Sequence, residues 1–429
     1  MSRFIIRGGK AIGGRYRPAG NKNAALPMLA ACLLTDGEVR LSNVPMIRDV
    51  ENLLALLEDI GVEVGWEGHE VRLCAAGVRK TELDAGLCAK VRGSVLLAGP
   101  LAARHGKALL PPPGGDVIGR RRLDTHFEGW GRLGIGVDVA AGGEGFVLRR
   151  GAEFRGAEML LDEASVTATE NVLMAAALAP GKTVMLNAAC EPHVQNLARM
   201  LNGMGAHIRG AGSNRLEIEG AERLHGVEER VDADYVEMGS FLAAAAATGG
   251  RLEVEESPDG VTRRVMDRLF GRLGVAWKEE GGRLVLESGQ ALEVRPDWGG
   301  GIPKIEDGIW PAAPSDLMSV ALVLATQSKG TVLFFEKLFE SRMYFVDRLL
   351  DMGARVVACD PHRVLVSGPS ALRGKHLTSP DIRAGMALMI AALCAEGRSV
   401  IDNADMVDRG YERIDERLRE LGADIEREG

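Results

Sequence analysis

Residues 111–126 read PPPGGDVIGRRRLDTH, placing one acid, Asp116, just ahead of three consecutive arginines, Arg120, Arg121 and Arg122. Prolines and paired glycines break helix and strand, so the stretch is expected to be a loop whose backbone can move at Gly114-Gly115. A mobile loop with one acid and so much positive charge is either a solvated surface turn or part of a site. The rest of the chain has to decide.

Other groups capable of chemistry stand just before apolar helical stretches. GNKNAALP places Lys22 and Asn23 at such a start, where free N–H groups and a partial positive charge favour an anion; an ordinary polar cap would look the same. KVRGSVLLAGP brings Arg92 to the second start, and DEASVTATENVLM brings Ser165 and Thr167 to the third. DADYVEMGSF brings Asp234 and Glu237 to the fourth, PAAPSDLMS brings Asp316 to the fifth, and SPDIRAGMA brings Asp381 and Arg383 to the sixth. If the helices run roughly parallel within each domain, these ends would converge on a cleft between domains as one composite polar site.

The elements that carry these groups recur. A pattern of a leucine-like residue, then Gly, a small residue and a β-branched step recurs in LLEDIGVEV, RLGIGVDV, LNGMGAHI, FGRLGVAW, LLDMGARV and LRELGADI. Its glycines are taken at 61, 136, 205, 274, 353 and 422, spaced by 69 to 79 residues. Six copies at nearly constant spacing mark a repeat architecture. Each copy is preceded by an alanine-rich apolar helix, such as FLAAAAATGG, which must be buried on nearly every face. The second helix of each copy is amphipathic: VENLLALLEDI sets Val50, Leu53, Leu54 and Leu57 at helical spacing, and the glycine caps it in a left-handed conformation. The unit is thus buried helix, strand, loop, amphipathic helix, strand. Residues 1–20 precede the first unit and are expected to pair with strands from the chain's end.

Six units in 429 residues suit two domains of three. The hydrophobic fraction of 46% and charged fraction of 26% are those of a soluble globular chain. A net charge of −8 argues against a general nucleic-acid binder and leaves room for a local anion pocket. MSRFIIRGGK has no secretory h-region and the apolar runs are too short to span a membrane, so the cytoplasm is the expected compartment. The six cysteines lack C-x-x-C spacing and the eight histidines are scattered, which predicts buried free thiols and no metal site. GGKAIGG at 8–14 lacks the strand–turn–helix setting of a dinucleotide loop and reads as a turn beside a strand. Met266, Met343 and Met352 read as packing residues, and the terminal REG reads as a frayed end.

NKNAALPMLAACLLTDGEVRLSNVPMIRDV, the loop PPPGGDVIGRRRLDTH and the tail DRGYERIDERLRELGADIE resemble the UDP-N-acetylglucosamine 1-carboxyvinyltransferases, the enolpyruvyl transferases of peptidoglycan synthesis. The resemblance covers essentially the whole chain. It implies an α/β fold of the inside-out barrel type, with two domains each of three βαβαββ-like repeats around buried helices. One domain would comprise 1–21 plus 233–429 (repeats 4–6), the other 22–232 (repeats 1–3 and the 111–126 loop). It further implies transfer of the enolpyruvyl group of phosphoenolpyruvate to the 3′-hydroxyl of UDP-N-acetylglucosamine with release of phosphate, through a tetrahedral ketal. No cofactor, metal, nucleic acid or membrane partner is implied, and the oligomeric state is left open. Two other readings fit the same residues: a paralogue with another nucleotide or sugar acceptor, and a silent nucleotide-sugar-binding regulator.

By the same resemblance, Lys22, Arg92, Arg121 and Arg409 would hold phosphoenolpyruvate. Asp316 would be the base for the attacking hydroxyl, and Asp116 the loop acid that protonates the methylene carbon; Lys22 and Arg409 complete the catalytic set. Asn23, Arg92, Arg121, Asp124, His126, Ser165, Val166, Thr167, Asp234, Glu237, Asp316 and Leu338 would bind the nucleotide sugar. The family's common loop residue is cysteine, and some members carry aspartate there, as at Asp116. A carboxylate is a much poorer nucleophile than a thiolate, which predicts resistance to fosfomycin, the epoxide that alkylates the cysteine. Three features depart from the family pattern. Glu163 stands where a lysine often faces the diphosphate, Tyr235 replaces an arginine, and 295–316 is roughly ten residues longer than in common members.

Overall fold

The computed structural model describes every residue except Met1, Asp116, Val117 and Arg120. Asp116, the expected loop acid, therefore lies outside the described residues. The chain divides into two compact units: Met1–Ala19, Asp116–Arg120 and Ala233–Gly429 form one, Gly20–Gly115 and Arg121–Asp232 the other.

The first unit is built on three helices, Tyr235–Thr248, Ser315–Ala325 and Ile382–Cys394, which pack against one another. Their sequences are small and apolar all round, so almost no face seeks water and helix backbones can approach closely. Alanine also loses no side-chain rotamer entropy on burial. Asp234 and Asp381 start two of the three by accepting N–H bonds from the first turn. Gly249, with φ 77°, closes one of them. The second unit repeats the plan with Lys22–Ala31, Val166–Ala176, and a helix that begins as 3-10 over Arg92–Leu97 and continues as α over Ala98–His105.

Sheets flank these helices, each turning alternate side chains inward. Among the described residues, five of the six sheets hold three antiparallel strands and one parallel edge strand. Lys304–Glu306, for example, runs parallel to Gly330–Phe335, which continues antiparallel to Arg363–Gly368 and Val356–Asp360. In the sixth sheet the parallel strand shrinks to a single bridge between Glu82 and Leu109. The N-terminal strand Arg3–Arg7 lies between Arg398–Asp402 and Asp424–Glu428, antiparallel to both.

Two readings of the sequence are corrected. In the second repeat the left-handed residue is Gly134, with φ 86°, while Gly136 lies inside the strand Ile135–Val139. RLGIGV offers two glycines, and only the one directly after the helix's last leucine can cap it. The chain's end is not frayed: Arg427 and Glu428 belong to the last strand, with Glu428 2.7 Å from Arg3 and Arg427 paired with Asp408.

Candidate active site

In the second unit, the helix Lys22–Ala31 is capped by Asn21, whose side chain accepts from the Ala24 amide at 3.0 Å. Lys22 therefore stands on the first turn, its Nζ 2.6 Å from the buried Asp49 carboxylate. Asn23 beside it is half-buried. Arg92 begins the second helix and donates from Nη2 to the Arg121 carbonyl at 2.7 Å. Burial, reinforced by the charge of Arg121, lowers the Arg92 pKa to about 10. Two guanidinium groups left this close and partly dehydrated favour an anion between them.

Gly114 and Gly115 pack closely beside that pair. The Gly114 amide donates to the Cys88 carbonyl at 2.9 Å, and a Cβ at 114 would stand 1.8 Å from the Ala89 carbonyl oxygen. Gly115 has φ 120° and lies against Arg92, where a Cβ would come within 2.8 Å of the Arg92 Cβ. In this conformation the two glycines are seated on the second helix's entry.

His126 sits on the first turn of the helix Asp124–Arg132 and is almost wholly buried. Its Nε2 is 3.0 Å from the Thr167 hydroxyl. Burial, then the nearby Arg92 charge, push its pKa down to about 3, so the ring is neutral. Thr167 and Val166 open the helix Val166–Ala176, and the Ser165 hydroxyl caps it, accepting from the Ala168 amide at 3.4 Å. Arg92, Arg121, His126 and Thr167 are thus brought together. Asp124 is 62% exposed, facing Arg122 at 3.6 Å. Glu163 is exposed and shares the Thr125 hydroxyl with Asp162, at 3.3 and 2.5 Å.

In the first unit, Asp316 lies on the first turn of Ser315–Ala325 and is clamped by two buried guanidiniums, Arg383 at 2.9 Å and Arg342 at 3.2 Å. Burial is the largest influence on Arg383 and opposes its charge, but Asp316, Tyr411 and Asp234 together outweigh it and raise its pKa. Asp234 is buried at its cap position, which raises its pKa to about 6 against the pull of Arg383. Glu237 is buried one turn on, with both carboxylate oxygens engaged. One accepts from the Tyr16 hydroxyl and the Ala19 amide, the other from Arg417 at 2.8 Å. Leu338 is exposed, its amide 3.4 Å from Asp307. Arg409 ends the 3-10 turn Ala404–Arg409 with Nη1 against the Met406 sulfur at 3.3 Å.

The 295–316 segment contributes Trp310, whose ring packs 5.8 Å from that of Tyr235. Arg342 was missed by sequence reading. It sits in FESRMYF with no periodic or motif signal, and only the fold brings it to Asp316. Among the described residues no three His, Cys, Asp or Glu side chains stand together as a metal site would need. Nor is any of their helices long and apolar enough to cross a membrane.

Residues 6–418 match the family model of EPSP synthase (3-phosphoshikimate 1-carboxyvinyltransferase). The chain is 51% identical over 427 residues to a UDP-N-acetylglucosamine 1-carboxyvinyltransferase of Borreliella burgdorferi, covering 100% of this chain and 99% of that one. It is 50% identical to the protein of the same name from Bradyrhizobium diazoefficiens, covering 99% and 97% of the two chains. Among solved structures it is similar to the enolpyruvyl transferase NikO from Streptomyces tendae, with a TM-score of 0.88 at 24% identity over 99% and 98% of the chains. That last likeness establishes the fold alone, which is the expected two-domain α/β architecture.

Proposed function

The chain belongs to the EPSP synthase family and, within it, to the UDP-N-acetylglucosamine 1-carboxyvinyltransferases, and from that premise we propose how its residues perform the reaction. It is a transferase that moves the enolpyruvyl group of phosphoenolpyruvate to the 3′-hydroxyl of UDP-N-acetylglucosamine, releasing phosphate, at the first committed step of peptidoglycan synthesis. The observation that carries this is identity near one half over the full length of relatives bearing that name.

The substrate carries a phosphate and a carboxylate, and Lys22, Arg92, Arg121 and Arg409 hold these charges. Arg92 and Arg121 are partly dehydrated neighbours with repelling charges, and a bound dianion relieves that repulsion. Asp316 takes the proton of the attacking hydroxyl as the oxygen bonds to C2 of phosphoenolpyruvate. Its two arginines fix the carboxylate's orientation. C3 gains a proton in the same addition, and Asp116 is its donor. Loss of a C3 proton and departure of phosphate then collapse the ketal to the enol ether.

Asn23, Asp124, His126, Ser165, Val166, Thr167 and Leu338 bind the nucleotide sugar. His126 does so as a neutral ring, its tautomer set by Thr167. Asp234 acts through the helix it caps, and Glu237 through the N-terminal segment and Arg417 that it ties to that helix. The protein works in the cytoplasm, where both substrates are small and soluble.

The test is phosphate release from phosphoenolpyruvate with UDP-N-acetylglucosamine, beside a panel of other nucleotides and nucleotide sugars. Release with the first acceptor alone is expected. Release only with another acceptor, or none at all, overturns the assignment.

A further inference from the structure

Asp307 and Glu336 are two fully buried acids held side by side at the ends of the parallel strands Lys304–Glu306 and Gly330–Phe335, beside the helix that carries Asp316. Glu336 also accepts from the Ser315 hydroxyl at 2.8 and 3.0 Å and from the Phe339 amide at 3.1 Å. Asp307 accepts from the Lys337 amide at 2.5 Å and the Leu338 amide at 3.4 Å. Two neighbouring carboxylates without water repel one another, which favours one proton held within the pair. Asp307 comes from the longer 295–316 segment, just after its edge strand Lys304–Glu306.

Arg342 stands between this pair and Asp316. Its Nη2 is 3.2 Å from Asp316 Oδ1. Its Nε is 3.9 Å from Glu336 Oε2 and is buried with no hydrogen-bond partner. An orphaned donor aimed at a carboxyl closes on it once that carboxyl is ionised, because a buried unpaired N–H costs free energy. The guanidinium thus has a second partner within reach, and the shared proton decides which one holds it.

We propose that the Asp307–Glu336 acid pair is a positioning device: protonated, it leaves Arg342 to orient Asp316, and deprotonated, it draws Arg342 away. The proposal rests on the reading of Asp316 as the base. With one proton in the pair, its single negative charge faces Arg342, while Arg383 is shared between Asp316 and Asp234 and lies beside the Tyr411 ring. Loss of the proton leaves an uncompensated buried anion, which the nearest movable cation must answer. Burial, then Asp307, hold the Glu336 proton far above its ordinary 4.5, into the alkaline range. The other charged or titratable groups nearby are Lys337, paired with Glu306 at 3.6 Å, and His362, whose Nδ1 meets the Glu336 carbonyl at 2.8 Å.

The decisive experiment is the pH profile of kcat and KM for the wild type, Glu336→Gln and Asp307→Asn, each normalised to its own maximum. Wild type should lose about tenfold in kcat on the alkaline side, with KM for the nucleotide sugar changing less. Glu336→Gln keeps the donor and acceptors but cannot ionise, so its alkaline limb should vanish. Asp307→Asn leaves Glu336 the only acid and should move the limb towards neutral pH. An unchanged limb in Glu336→Gln overturns the proposal.

Thermal unfolding against pH separates this from failure of the functional reading. A carboxyl whose folded pKa is raised binds more protons folded than unfolded. Stability due to it is present below the unfolded value of 4.5 and is lost as pH rises towards the folded one. Wild type should therefore lose melting temperature over that window more steeply than Glu336→Gln. Equal slopes overturn the proton-sharing pair even if no substrate is turned over. A steeper wild-type slope supports it independently of Asp316.

Discussion

The ring of Tyr235 lies 5.8 Å from that of Trp310, inclined by 54°, and this contact ties the long 295–316 segment to the start of a central helix. Tyr235 is a buried aromatic at a helix start, and Trp310 of the 295–316 segment packs against it. Both side chains are buried, Tyr235 5% and Trp310 6% exposed, so the contact is part of the core.

Trp310→Ala should cost about 3 kcal/mol of stability, in the range for large buried aromatics. A double-mutant cycle with Tyr235→Ala should return about 1 kcal/mol of coupling by denaturant unfolding. No coupling would mean that the rings are neighbours without being partners.

Asp316→Ala should lower kcat by about 10² to 10⁴ while changing nucleotide-sugar affinity much less. Steady-state kinetics beside calorimetric binding read this directly. Arg342 and Arg383 would be left facing each other, so a stability loss of about 3 kcal/mol is expected as well.

Fosfomycin should not inactivate the enzyme over time, because position 116 is an acid in place of a thiol. Asp116→Cys should introduce time-dependent inactivation, followed by residual activity and the mass of the adduct. Rapid inactivation of the wild type would show that a nucleophile other than position 116 is alkylated.

His126 contributes a pH dependence of opposite sign to Glu336. Its folded pKa of about 3 is below the ordinary 6.5, so the unfolded chain binds the extra proton between these values. Stability should fall on acidification below 6.5, by about 1.4 kcal/mol per pH unit from this group. His126→Gln should flatten that acid limb in thermal unfolding.

Gly114→Ala should reduce activity far more than it reduces overall stability. The added methyl meets the Ala89 carbonyl oxygen and displaces the backbone that seats Arg92 and Arg121. Near-normal kcat with a bound alanine at 114 would show that the loop's entry tolerates a shift.

The sixfold repeat, the two kinds of helix and the polar groups at the buried helix starts were legible in the sequence. Helix-period apolar patterning and caps are local, and local geometry is what residue spacing encodes. Residues 61, 205, 274, 353 and 422 carry left-handed glycines for the same reason, while the doubled glycine of RLGIGV needed the backbone to separate 134 from 136.

Only the tertiary structure decided which charges have partners. Lys22 meets Asp49, Glu237 meets Tyr16 and Arg417, and Asp316 meets Arg342 and Arg383, across separations of up to 221 residues within one unit. Such pairs leave no period in the chain, because each partner is chosen by packing between elements distant in sequence. The same holds for Asp307 and Glu336: their spacing says nothing until two parallel strands place them in one dry pocket. There, burial makes the pair share a proton that water would otherwise remove.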